Sequence, residues 1–455
     1  MEEASTAKAF EMRSSVLCYK LLCVCYYFSR CIGTITFRLK RCAERENNSK
    51  YLQHDSNRTS GCHNYDIGSI TITTPTPIAG VAEPHRFAFE ACQHRTFMWF
   101  NILCRCICCT LFSVGAFYLW RTSDKLYTRM VLIQAAFISV CPVIVAILSF
   151  RYRERFVVVT SGLLRLLQSV EIFHHKFELF QWSHFAFLAI KILIYAYEII
   201  CSLQEMVMAF EDWSHTAVTI LEMYLMLSVW SIFHVTSIVY IIIDALFGSL
   251  NDYIKHNFIP RLQALQSPFG VINSYDTDFE SLQNDFRTFS ELLSQVHHVG
   301  LQLHRMWEIP VLSAIFYIYC SNICMVYFMV YQYFANGVIE FRYIVFMLKI
   351  FFDIALLSLT GHRVVKASKL IHYMRLENIV LDENVEWERQ VELFLYRLNL
   401  YDFKLTILNF FDVGNSMSLA FISGIFTAFS IFTPFAIKDY RIQKFLENRN
   451  YAVAN

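Results

Sequence analysis

Ionisable side chains inside otherwise apolar stretches are the residues of this chain with the most chemistry to offer. Lys191, Glu198 and Glu205 follow one another at seven-residue intervals, so a helix carries all three on one stripe. Glu222 and His234 lie in the next apolar stretch, and Lys349 and Asp353 are spaced i,i+4 in a later one. Charges are costly in hydrocarbon, and where they occur they face the interior of a bundle or a wet cavity. Two uses follow. Glu205 and Glu222, near the ends of their stretches, suit a cavity that takes a cationic or hydroxyl-rich ligand. The walls of that cavity would be Tyr224, Trp230, Tyr319, Asn322 and Tyr327, with His234 beside them. Lys349 and Asp353 read instead as a charge pair that ties helices together. Arg105, near one end of the first apolar stretch, reads as a side chain that snorkels to the interface.

No catalytic constellation accompanies these groups. The chain has no phosphate loop, glycine fingerprint, HExxH or nucleophile elbow, so neither an enzyme nor a cofactor is expected. Cys104, Cys106, Cys108 and Cys109 are clustered but lack the histidine and acid company of a zinc site. They read as small apolar packing residues, and no metal is expected. His174–His175 and His297–His298 have no spaced partners and read as solvated or interfacial.

The elements that must position these residues are transmembrane helices. Hydrophobic residues make up 56% of the 455 and charged residues 17%, with 42 Phe and 25 Tyr. A soluble domain carries about 25% charge. Net charge is +1, so no basic field argues for nucleic acid. The apolar runs Phe97–Leu119, Val131–Phe150, Phe185–Met208, Thr216–Phe247, Pro310–Phe334, Ile344–Leu359 and Asn409–Ile437 predict seven spans, the sixth beginning near Val338. The fold class is an all-α membrane protein. Its organisation is a segment 1–96 containing an interfacial helix over 16–39, a seven-helix domain 97–437, and a tail 438–455. Within the domain the spans fall at about 97–119, 131–150, 185–208, 216–247, 310–334, 338–359 and 410–437. Lys20, Arg30 and Arg38 make Val16–Leu39 too charged to span comfortably.

Lys and Arg set the orientation. Arg151, Arg153, Arg155 and Arg165 follow span two, and Arg363, Lys366, Lys369 and Arg375 follow span six; the opposite loops hold few. That bias predicts a cytoplasmic amino terminus and an extracellular carboxyl terminus. The sequons at Asn47 and Asn57 point the other way, and the charge count outweighs them. Eleven of the 15 cysteines fall between Cys18 and Cys109 and the rest lie inside spans, so no extracellular disulfide framework is expected. The long segments assigned to the cytoplasm are themselves helical in pattern. Phe279, Leu282, Phe286, Phe289, Leu292 and Val296 recur three or four apart, as do Trp387, Val391, Phe394, Leu395 and Leu398. Extensions of spans four to seven are expected to form a bundle below the membrane, a platform for oligomerisation.

The final span carries the most specific pattern. Ser416, Ser423, Thr427 and Ser430 share a helical face, as a pore lining or a close helix contact would require. Insect gustatory receptors end their last helix with Thr-Tyr, five apolar residues, then Gln-Phe. Thr427 and Phe435 stand at that separation here, with Ala428 in place of the Tyr and Pro434 in place of the Gln. The approach, Val391–Leu398 and then Leu405–Val413, also resembles that family, so the specific likeness covers about residues 387–437.

The resemblance implies a chemosensory receptor acting as a ligand-gated, non-selective cation channel. A homo- or hetero-tetramer with related receptors would sit in the plasma membrane of sensory neurons, among membrane lipid, and respond to a small-molecule tastant. The pore would be lined by Ser423, Thr427, Ser430, Ile431, Pro434 and Phe435, and the ligand would sit among spans two to six. A non-conducting accessory subunit and a G-protein-coupled receptor are the alternatives. The second needs an outside amino terminus, which the charge bias opposes. A transporter would show matching broken helices in two halves, and none is visible.

Overall fold

The computed structural model describes residues 2–35, 37–41, 89–93, 95–122, 126–173, 178–208, 213–266, 275–338, 341–370, 385–400 and 403–454. Helices dominate. In chain order they are α1 (Glu2–Cys31), α2 (Arg95–Thr122), α3 (Leu126–Arg151), α4 (Arg153–Phe173), α5 (Trp182–Met208), α6 (Trp213–Tyr253), α7 (Ile259–Gln266), α8 (Tyr275–Asn336), α9 (Phe341–Leu370), α10 (Val385–Leu400) and α11 (Asn415–Ala454). A π-helical turn (Ile254–Phe258) and two antiparallel strand pairs complete the described fold: β1 (Phe37–Arg41) with β2 (Phe89–Gln93), far apart in the chain, and the hairpin β3 (Thr406–Ile407) with β4 (Phe411–Asp412).

Among the described residues seven helices are long and apolar enough to cross a membrane: Thr96–Tyr118, Arg153–Phe173, Trp182–Cys201, Thr219–Leu265, Phe279–Phe334, Tyr343–Leu370 and Asn415–Ile442. Six of them overlap the expected spans one and three to seven, with shifted ends. The expected second span lies in α3, whose described apolar part is Ala136–Arg151, and α4 follows it directly. Helical bonding runs through the junction, from Tyr152 N–H to Leu148 O (2.9 Å) and from Phe156 N–H to Tyr152 O (2.8 Å). No loop lets the chain turn back there. The two helices therefore make one crossing, and Arg151, Arg153 and Arg155 mark its end rather than a new span.

Burial explains which helix sits where. α6 is the centre, with 72% of its apolar window inside the protein, and α5, α8 and α9 pack around it. α2 lies at the edge. Its Trp99, Leu103, Ile107, Leu111, Val114 and Tyr118 form an exposed apolar stripe of the kind that hydrocarbon covers. At 62 residues α8 is about 93 Å long, three times the thickness of a bilayer core. Its polar half buries Leu282, Phe286, Phe289 and Val296, the stripe its periodicity predicted. There Phe286 meets Phe258, Trp387 and Phe394 at ring separations of 5.3, 5.2 and 5.1 Å, which joins the π-helical turn after α6 to α8 and α10.

Two expectations near the amino terminus change. The stretch 16–39 is not one helix. α1 ends at Cys31, the chain reverses over 32–35, and it returns as β1. The reversal needs Gly33, whose φ is +81° and which abuts the Asn101 side chain. Arg105 does not snorkel. It is buried, donating to Ile32 O (3.3 Å) and Pro142 O (3.5 Å), so it satisfies a carbonyl exposed by the reversal at the level of the apolar part of α2. Thr34 Oγ1 bonds Ser231 Oγ and docks the same turn on α6. More than three turns back along α1, Cys18 is a packing residue. Burial, and then the Glu178 carboxylate, push its thiol up to about 12.

Candidate functional site

Charged residues from α5, α6 and α9 meet in the interior. Lys191 Nζ donates to Asp353 Oδ1 (2.7 Å), and Lys349 Nζ lies 2.6 Å from Glu198 Oε1 and 3.6 Å from Asp353 Oδ2. His234 Nε2 is 3.2 Å from Glu198 Oε2, and its ring lies against Tyr195 with centroids 4.0 Å apart. Every member is buried, with exposures from 0% for Asp353 to 7% for Lys349. The Lys349 ammonium sits 3.0 Å above the centroid of Trp230, which is itself fully buried and edged by Phe346 and Tyr317. Two lysines oppose two acids, so the charges balance. Balance is what makes such a cluster tolerable in a low-dielectric interior.

Glu198, His234 and Asp353 could each offer one ligand atom, all within 4.8 Å of one another. The two ammonium nitrogens already stand against the carboxylates where a metal would need to stand. A divalent ion would add two charges to a balanced cluster, so the donor set does not suit one.

A second network ties the same three helices further along. Arg363 Nε donates to Asp244 Oδ2 (2.9 Å) and its Nη2 to Ser183 Oγ (3.1 Å). His184 accepts at Nδ1 from Gln181 N–H (3.1 Å), so its Nε2–H faces Asp244 Oδ2 (3.2 Å). Beyond it His304 accepts from Tyr240 O–H (2.8 Å) and donates to Thr406 O (2.9 Å), linking α6, α8 and the β3–β4 hairpin. That hairpin turns through Leu408 and Asn409, both at positive φ, and leads directly into α11.

The predicted ligand residues divide between two places. Trp230 and His234 belong to the buried ion network. Tyr319 does not face them: its O–H donates to Gly424 O of α11 (3.2 Å), and its ring lies against Phe421. Tyr327 is buried with Phe328, Cys324 and Ala436, again on α11. Asn322 is buried and bonds back to Ile318 O (2.9 Å). Tyr224 is half-buried near Arg105, Glu222 is exposed, and the side chain of Glu205 lies outside the described part of the structure. His174 and His175, like the sequons at Asn47 and Asn57, fall outside the described residues. His297 is buried against Phe403, and His298 bonds Gln302 at the surface. Lys191 and Glu198 were visible as members of a stripe, but only the fold shows that their partners sit on α9 and α6. A separate groove of about 650 Å³ runs between α2 and α3, lined by Cys109, Ser113, Phe117, Ala136, Ser139 and Val143 among others, and no predicted ligand residue borders it.

The small residues of α11 divide in the same way. Phe421, Gly424 and Ala436 face α8, Met417 and Ala428 are buried, and a side chain on Gly424 would collide with the Tyr319 ring. Ser416, Ser423, Thr427, Ser430 and Pro434 lie on another face and are exposed, as are Ile431 and Phe435. Thr427 and Ser430 cap their own hydroxyls on Ser423 O (2.9 Å) and Phe426 O (3.0 Å). The helix continues through Pro434 to Ala454, so residues 438–454 extend it.

A nearly all-helical bundle with seven membrane-length helices and a buried ionic core defines a polytopic membrane protein. The chain belongs to the 7tm chemosensory receptor family, whose pattern matches residues 78–439. It is 24% identical over 360 residues to "Putative gustatory receptor 93c" of Drosophila melanogaster, covering 76% of this chain and 87% of that one. It is likewise 24% identical over 205 residues to "Gustatory receptor for bitter taste 93a" of the same organism, covering 42% and 47%. Among solved structures, the insect olfactory receptor OR5 from Machilis hrabei shares the fold at a TM-score of 0.50 and 11% identity, covering 74% of this chain and 88% of that one.

Proposed function

We propose that this chain is a chemosensory receptor subunit whose ligand opens a cation pore, the α11 helices of four subunits lining it. One observation carries the reading. Of the seven candidate spans α11 is the least enclosed by its own chain, at 17% of its apolar window, yet its open face bears Ser416, Ser423, Thr427 and Ser430. A face with that many hydroxyls suits water or neighbouring subunits better than lipid. The amino terminus is cytoplasmic, the carboxyl terminus outside, and the protein works in the plasma membrane of sensory neurons. The ligand is a small-molecule tastant, and the bitter-taste relative makes bitter compounds the first panel to try.

The test is whole-cell recording from cells with verified surface expression, alone and with related receptors, combined with Thr427→Cys and Ser430→Cys. Agonist-evoked cation current that a membrane-impermeant thiol reagent blocks in those variants, and not in the wild type, is the expected result. Absence of any basal or evoked current from surface-expressed protein counts against conduction. Epitope tags on the two termini of unpermeabilised cells test the orientation, and an accessible amino terminus overturns it.

A further inference from the structure

Lys349 is held the way proteins hold a free organic ammonium ion. Its nitrogen faces one aromatic ring at 3.0 Å and a second, Phe346, at 5.4 Å, with the Glu198 carboxylate at 2.6 Å and Asp353 Oδ2 at 3.6 Å. An aromatic face combined with carboxylates is the chemistry by which alkylammonium ions are recognised. The walls come from three helices: Trp230 and His234 from α6, Glu198 from α5, and Asp353 one turn along α9. Asp353 Oδ2, fully buried beside the ammonium, makes no hydrogen bond among the described residues. The remaining charged neighbour is Lys191, committed to Asp353 Oδ1 at 2.7 Å.

We propose that this cage is a binding site for small primary ammonium ions, and that Lys349 is its resident occupant. Lys349 thereby decides what the receptor admits there. With the lysine in place the cage is full and charge-balanced, and free amines are excluded. With the lysine truncated, the cage carries one uncompensated negative charge and a cavity shaped like the end of the side chain. In Lys349→Ala the vacated Cε and Nζ positions match methylammonium without a clash against the remaining Cβ. Ethylammonium fits with a small shift, and longer amines collide. The inference concerns ligand exclusion at this cage and does not depend on whether the chain conducts.

The experiment is thermal unfolding of the full-length protein in one detergent, with methylammonium, ethylammonium, ethanol or sodium chloride as the added probe. Wild type is expected to ignore the amines. Lys349→Ala is expected to lose roughly 3–5 °C, as an unpaired buried charge demands in a chain of this length, and to regain at least half of that with methylammonium or ethylammonium but not with ethanol or salt. Glu198→Gln combined with Lys349→Ala restores charge balance and is expected to abolish the amine response. Should Lys349→Ala not fold unaided, the readout becomes the yield of monodisperse protein from cells grown with and without ethylammonium, against the same double variant. An absent amine effect in both readouts, or an equal effect in wild type or in the double variant, overturns the proposal.

Discussion

Replacing Gly361 with alanine tests whether α9 and the strand leading into α11 touch backbone to backbone. A Cβ on Gly361 would stand 2.6 Å from Val413 Cγ1, 3.0 Å from Val413 O and 3.3 Å from Val413 Cβ. Carbon contacts settle near 3.5 Å, so the new methyl needs about 0.9 Å of relief from Cγ1 and about half that from the carbonyl. The valine side chain can turn aside. The carbonyl cannot, because Val413 N–H donates to Leu405 O at 2.7 Å and Ser358 Oγ holds Gly414 O next to it. Overpacking of this kind costs about 1–3 kcal/mol, while alanine returns up to about 1 kcal/mol in helix propensity. The single substitution is therefore expected to destabilise by about 0–2 kcal/mol, too broad a range to decide anything alone.

The coupling with Val413→Ala decides it. That second change removes Cγ1 and leaves only the carbonyl contact, so the pair should be more stable than the sum of the singles by about 1 kcal/mol. Unfolding of the four proteins in one detergent measures the term directly. A coupling within about 0.5 kcal/mol of zero would refute the contact, because distant sites add to that precision.

Three further outcomes follow from the same geometry. Lys191→Met leaves Asp353 short of its nearest cation and should cost about 3–5 kcal/mol, whereas Lys191→Met with Asp353→Leu keeps the charges balanced and should unfold near wild type. Trp387→Ala empties the centre of the aromatic cluster around Phe286 and should cost about 3–5 kcal/mol in the same assay; a loss below about 1 kcal/mol would mean the cluster collapses around the gap. His304→Phe strands Tyr240 O–H and Thr406 O and should cost about 2 kcal/mol, with His304→Gln recovering part of it; equal losses in the two would show that only the ring's shape matters.

The spans were legible because twenty or so consecutive apolar residues have few other uses. The polar half of α8 and the stripe of α10 were legible because a period of 3.6 survives in Leu282, Phe286 and Phe289 and in Trp387, Val391 and Phe394. Periodicity names a face, however, and not the neighbour it meets. Tyr319 and Tyr327 share α8 with residues near Trp230, yet they turn to α11. Lys349 and Asp353 do form the i,i+4 pair, but at 3.6 Å, while their shorter contacts reach to α5. The pairing of β1 with β2 joins residues about fifty apart, and nothing local in either strand announces it. Arg105 read as an interfacial cation because its partner, the carbonyl of Ile32, belongs to a reversal that only the tertiary structure reveals.

α9 is the piece that makes the ionic core matter to the last helix. Lys349, Asp353 and Arg363 fall within about 80° of one another on a helical wheel and face α5 and α6. Ser358 and Gly361 fall on the opposite side and meet the residues just before α11. One helix is thus bonded on one face by buried ion pairs and on the other by a hydroxyl and a close backbone approach. A packed helix shifts as a unit rather than bending between such points. Displacing α5 or α6 must therefore either break a buried ion pair, at several kcal/mol, or carry α9 and with it the base of α11. The second course leaves every buried charge paired, so it is the less costly displacement available to this bundle.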